Sequence, residues 1–218
     1  MFTPIYKIDL IDKNIVSLTF DNFRDQSICL FRLSEFYESP HEDIRNQRTG
    51  IDDFLYYYMT EKGKINYFSY WDAFNIPGYS VISFIDHFRF DLTRTEKKLF
   101  EQILELVDEN EPFYLISALK GRKSDFEHEF CHAKYFLDEK YKIEVLNIIN
   151  KMPLYVYDEF KASLIKMGYS SDDEIIIDEI NAYLATSGKK YIKKNFVSDY
   201  NEIEKFQKKI KKLFRKNK

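Results

Sequence analysis

Cysteine is scarce in this chain, with two in 218 residues, too few for a disulfide framework. No apolar run approaches the length that spans a bilayer. The opening residues, MFTPIYKIDLIDKN, place charge where a signal peptide needs an unbroken apolar stretch. A cytoplasmic protein is therefore expected, or one delivered into another cell by a different route. The sequence also lacks a phosphate-binding loop, a dinucleotide fingerprint, a zinc ribbon and any internal repeat. Nucleotide-driven chemistry and solenoid architectures are thereby disfavoured.

What is present is ample material for a core. Hydrophobic residues make up 44% of the chain and aromatics 17%, which excludes a generally disordered polymer. The length suits one large domain, or one domain with an appendage. The formal net charge of −3 conceals a division. Residues 189–218 hold twelve Lys/Arg against three Asp/Glu, so an acidic body precedes a basic tail.

The first ninety residues read as β-rich and aromatic. Residues 5–10, 15–20, 28–36 and 65–71 are candidate strands, with Asp, Asn and Lys supplying turns. Residues 38–50 suggest an exposed loop, 51–59 a short helix, and 75–78 a turn. The density of Tyr and Phe fits sheet and core packing, with an aromatic binding surface as the other reading. Thr93 and Glu96 form a capping-box pattern opening a helix, on which Leu99, Phe100, Ile103, Leu104 and Val107 recur at helical spacing. Residues 112–119 then read as a strand closed by Gly121, and Ser124 with Glu127 as a second capping box.

Directly after that second box stands His128-Glu129-Phe130-Cys131-His132, an H-E-x-x-H pattern. Residues four apart on a helix share a face, so His128 and His132 can offer two imidazole nitrogens to one metal ion. Glu129 can lean towards a water at an open coordination position. Cys131 fits neither histidine's spacing and reads as packing. Of the other two histidines, His41 falls in the expected loop, and His87 reads as a hydrogen-bonded structural residue, with a third metal ligand as its other reading.

These residues resemble the zincin metallopeptidases. In that family a strand precedes the metal-binding helix, and an edge strand along the cleft pairs with an extended substrate. Further on, Asp178-Glu179-Ile180-Asn181-Ala182-Tyr183 resembles the second metal-binding helix of gluzincins, the thermolysin-like branch. The resemblance implies a zinc cofactor held by His128, His132 and Glu179. It implies Glu129 as general base, with Asp178 as an alternative ligand or as the carboxylate that orients a histidine. Tyr183, one turn beyond Glu179, is a candidate donor to a reaction oxyanion, and equally a packed helix aromatic. The stretch between His132 and Glu179 departs from the pattern by carrying extra helices, residues 140–152 and 156–167, broken at Pro153. No third histidine or glycine follows His132 at metzincin spacing. The resemblance covers roughly residues 112–188.

The expected fold is α+β and zincin-like, an aromatic-rich N-terminal β-sheet followed by helices bearing the H-E-x-x-H and glutamate motifs. Residues 1–92 form its β-rich part, 93–188 the metal-binding part of the same domain, and 189–218 a basic amphipathic C-terminal helix. In that helix Ile203, Phe206, Ile210, Leu213 and Phe214 share a stripe and lysines fill the other face. It reads either as a docked terminal helix or as an adaptor for a membrane surface, nucleic acid or an acidic protein partner. No specific nucleic-acid recognition is evident. The expected function is a zinc-dependent metalloprotease acting on a specific protein or peptide substrate. The alternatives are an inactive zincin-like binding protein, and a factor acting through its basic tail.

Overall fold

The structure is a computed structural model that describes residues 5–39, 42–62, 72–197 and 199–217. The chain divides into two compact units, Met1–Glu129 and Phe130–Lys218. Together they make an α+β chain in which the strands of the described residues all belong to the first unit.

In the first unit β1 (Tyr6–Asp12) and β2 (Ile15–Phe20) form an antiparallel pair, with a register irregularity between Leu10 and Asp12. The stretch 28–36, expected as a strand, is instead part of a helix, α1 (Phe23–Glu38). Asn22 caps it by accepting from the Asp25 N–H. Its buried positions, Gln26, Ser27, Cys29, Leu30, Arg32, Leu33, Ser34 and Phe36, include the three- and four-residue steps Gln26–Leu30–Leu33 and Cys29–Leu33–Phe36 of one wide helix face, despite the β-prone composition. The expected helix at 51–59 is present as α2 (Ile51–Lys62). The expected strand at 65–71 lies outside the described residues.

Residues 75–77, expected in a turn, belong to β3 (Ala73–Pro77), and Gly78 opens α3 (Gly78–Phe88). A Cβ on Gly78 would lie 2.5 Å from the Phe113 ring, and its N–H donates to the Phe113 carbonyl. Only glycine permits that approach. The Thr93–Glu96 capping box is formed at the start of α4 (Arg94–Leu104). Glu96 is also the partner of Arg32, whose Nε and one terminal nitrogen reach the two carboxylate oxygens at 2.9 and 3.0 Å. The pair is buried, with the guanidinium over the Phe84 and Phe88 rings.

The strand expected at 112–119 is β4 (Tyr114–Leu119). It is interior to the sheet, whose order is β1-β2-β4-β3 among the described residues, parallel to β2 and antiparallel to β3. The edge strand nearest β4 is therefore β3. Leu115, Leu119, Val16, Leu18, Phe20, Phe74 and Ile76 face the core shared with α1, α3 and α4, so the aromatics here pack chiefly as core. Tyr114, Ile116 and Asn75 lie on the opposite face.

The boundary between the units falls inside α5 (Lys123–Leu137). The second unit continues with α6 (Glu139–Ile149), α7 (Leu154–Met167) and α8 (Asp173–Thr186). The break at Pro153 and the stop at Gly168 are where the sequence puts them; Gly168 takes φ +104 and closes α7. The tail forms two helices, α9 (Lys189–Asn195) and α10 (Tyr200–Lys216). Ile203, Phe206, Ile210, Leu213 and Phe214 are all buried in the core of this unit. The apolar stripe of α10 is therefore docked, while Lys205, Lys208, Lys209 and Lys212 remain exposed. Gln207 and Lys211 both donate to the Ser187 carbonyl at the end of α8, and the Tyr200 hydroxyl donates to Gln207. No helix among the described residues is long and apolar enough to cross a membrane.

Candidate metal centre

Two helices carry the centre. After Gly121, which takes φ +82, α5 starts at Lys123 with the Phe126 N–H bonded to the Arg122 carbonyl. Ser124, expected as its cap, lies one residue inside the helix and its hydroxyl donates to Asp125. The early start leaves the H-E-x-x-H residues in the middle of a regular helix, where the four-residue spacing aligns His128 with His132. The other helix, α8, is capped by Asp172 and presents Asp178 and Glu179.

His128, His132 and Glu179 each offer one ligand atom, and these atoms lie within 4.8 Å of one another. His132 is 2% exposed and Glu179 7%, so both are withdrawn from bulk water. The two nitrogens of His132 face different carboxylates. Nδ1 stands 2.9 Å from Asp178 Oδ2, and Nε2 stands 3.5 Å from Glu179 Oε1. Were the Nδ1 proton to face Asp178, the Nε2 lone pair would be left for an ion on the Glu179 side. With Nε2 unprotonated, that 3.5 Å contact would set two acceptors face to face, which is no hydrogen bond. It does match the spacing of two ligand atoms on one tetrahedral ion, about 3.4 Å for bonds of about 2.0–2.1 Å. Two imidazoles and a carboxylate form a donor set suited to zinc and to other borderline divalent metals. The residues therefore fit a metal ion.

Glu129, the residue after His128, is 7% exposed. Asn75 of β3 donates from Nδ2 to Glu129 Oε2 at 2.8 Å, and the Tyr114 hydroxyl donates to Asn75 Oδ1 at 2.8 Å. Both partners are supplied by the sheet of the first unit. They have no sequence signature, because residues 39 or more positions apart meet only once β3 and β4 have paired.

Cys131 points elsewhere. Its sulfur meets the Tyr141 hydroxyl at 3.4 Å and accepts from Asn181 Nδ2 at 3.3 Å; Tyr141 in turn donates to Asn181 Oδ1. Burial pushes the Cys131 thiol well above its ordinary pKa, which suits packing rather than metal ligation. Tyr183 is partly buried among Tyr169, Tyr191 and Phe196, and its hydroxyl lies 3.0 Å from that of Tyr169. His87 takes up the Ser83 carbonyl at 2.7 Å on α3 and is absent from the metal group. His41 lies outside the described residues.

No protein-family model, curated protein or solved structure matches this chain. The family resemblance therefore rests on the motif residues and on the arrangement they adopt.

Proposed function

We propose that the chain is a zinc-dependent peptidase of the gluzincin type, acting on a specific protein or peptide. The observation that carries this reading is the convergence of His128, His132 and Glu179 from α5 and α8, with a carboxylic acid at position 129. In this reading His128 Nε2 or Nδ1, His132 Nε2 and a Glu179 oxygen hold the ion, and Asp178 fixes the His132 ring. When bound, zinc supplies Lewis-acid polarisation of a substrate carbonyl and acidifies a water.

The chain's own groups do the rest. Glu129 accepts a proton from the attacking water and returns it to the leaving amine, the duty of a general base that becomes a general acid. A site with a purely structural ion has no use for such a residue. Tyr183 is the candidate oxyanion donor. Tyr169 can donate to the Tyr183 oxygen, which leaves the Tyr183 proton for the substrate.

Metal analysis of the purified chain tests the centre. About one zinc per chain is expected, lost in His132→Ala and in Glu179→Ala while circular dichroism stays unchanged. Glu129→Gln should keep the metal and lose peptide cleavage by about a hundredfold or more. A native chain that takes up no metal after zinc is added back would sink the reading. Tyr183→Phe should lower kcat by about ten- to hundredfold with metal content intact. Unchanged kcat would return Tyr183 to a packing role.

A further inference from the structure

A general base is only as good as its aim. A glutamate carboxylate rotates about its last torsion with little resistance, because that torsion is broad rather than staggered. Something must therefore hold the carboxylate of Glu129 if it is to meet a water in one direction. The side chain that does so comes from the edge strand of the sheet.

We propose that Asn75 is a positioning residue for Glu129 and that Tyr114 fixes the orientation of Asn75. The proposal rests on the peptidase reading above and adds to it two residues outside the H-E-x-x-H and glutamate motifs. The Asn75 amide has a donor end and an acceptor end. Its nitrogen meets Glu129 Oε2 at 2.8 Å, and its oxygen accepts from the Tyr114 hydroxyl at 2.8 Å. Turning the amide over would set its oxygen against a carboxylate oxygen, two acceptors face to face. The Tyr114 proton opposes the same turn, because it needs an acceptor where Oδ1 now stands.

The register makes the relay rigid. Asn75 opposes Ile116 and Pro77 opposes Tyr114, so Asn75 and Tyr114 are diagonal neighbours on one face of an antiparallel pair. Tyr114 is 2% exposed, and its ring is fixed by burial. The chain of contacts runs from a buried phenol through an edge-strand amide to the carboxylate. Holding one carboxylate oxygen sets the plane of the group, and with it the direction of the second oxygen. The strand that supplies Asn75 is also the sheet edge next to β4, so any change that shifts β3 along β4 moves the Asn75 amide relative to Tyr114.

The isosteric variant Asn75→Asp keeps the acceptor for Tyr114 and removes the donor to Glu129. Tyr114→Phe keeps the ring and removes the proton that orients the amide. The first measurement needs neither metal nor substrate. In the ¹⁵N-labelled chain, the Asn75 side-chain amide signals, identified by their loss in Asn75→Asp, should move in Glu129→Gln and in Tyr114→Phe. Signals indifferent to both substitutions would overturn the proposal.

The second measurement uses the zinc-loaded chain and a peptide selected from an internally quenched library. Asn75→Asp should lower kcat by about ten- to hundredfold, with KM within about twofold and zinc content unchanged. Tyr114→Phe should lower kcat by about two- to tenfold in the same pattern. A rise in KM alone, or an unaltered kcat in Asn75→Asp, would overturn the proposal while leaving the peptidase reading standing. A parent chain that binds zinc and cleaves no peptide would remove the peptidase reading, and the catalytic role of Asn75 with it.

Discussion

At the scale of single residues, His132 is the side chain on which the site turns. Its two nitrogens face different carboxylates, Asp178 and Glu179, adjacent residues of one helix. The sequence leaves open which of the two is the ligand; the structure gives them different nitrogens. Under the proposed reading, Asp178→Ala should weaken zinc affinity by about ten- to hundredfold without removing a ligand, measured by competition with a chelator. Glu179→Ala should cost far more. Equal losses in the two variants would mean that both carboxylates serve in the same way. His128, Glu129 and His132 stand out in the sequence because their spacing has a helical meaning, and Glu179 only through the gluzincin resemblance. Asn75 and Tyr114 do not, because nothing local distinguishes an asparagine that holds a base from one that closes a turn. The residues around it were indeed expected as a turn.

At the scale of elements, capping and burial disagree with composition in instructive places. The Thr93 box is formed as expected, while the Ser124 box is displaced because α5 begins at Lys123, just after Gly121. The stretch from Ile28 to Phe36 looked like a strand because it is dense in apolar and aromatic residues. It is helical because α1 buries one side of itself against the sheet and the Asn22 cap starts the turn upstream. Burial on one face at three- and four-residue steps is a tertiary fact, visible only once the sheet is in place. The joint between α1 and α4 is the buried Arg32–Glu96 pair, in which Glu96 also completes the Thr93 cap. Glu96→Ala should destabilise the chain by about 3–5 kcal/mol, read from urea unfolding, since it strands a buried guanidinium. Arg32→Met with Glu96→Gln together should cost less than Glu96→Ala alone. A loss in Glu96→Ala no larger than in the double variant would show that stranding the Arg32 guanidinium costs little there.

At the scale of the whole molecule, the α+β order and the run of helices after residue 120 were readable, because caps, Pro153 and Gly168 punctuate them. The sheet order was not, since placing β4 between β2 and β3 requires pairing residues as far apart in the chain as Ile15 and Tyr114. The basic tail also has a clearer standing than composition allowed. Its stripe belongs to the core of the second unit, so removing residues 199–218 should cost the cooperative unfolding transition of that unit. Replacing Lys205, Lys208, Lys209 and Lys212 by Gln should leave the transition within about 0.5 kcal/mol per site. A tail that can be deleted without loss of that transition would show the packing of α10 to be dispensable.

The Ser187 carbonyl, held by Gln207 and Lys211, has a consequence in time rather than in space. A chain leaves the ribosome in sequence order, and α8 with Glu179 emerges before α10 exists to clasp its end. For that interval the nascent protein owns every donor of the metal group but not the helix that steadies one of the two walls. In the proposed reading, competence to hold an ion would therefore be acquired late in synthesis, when the clasp closes.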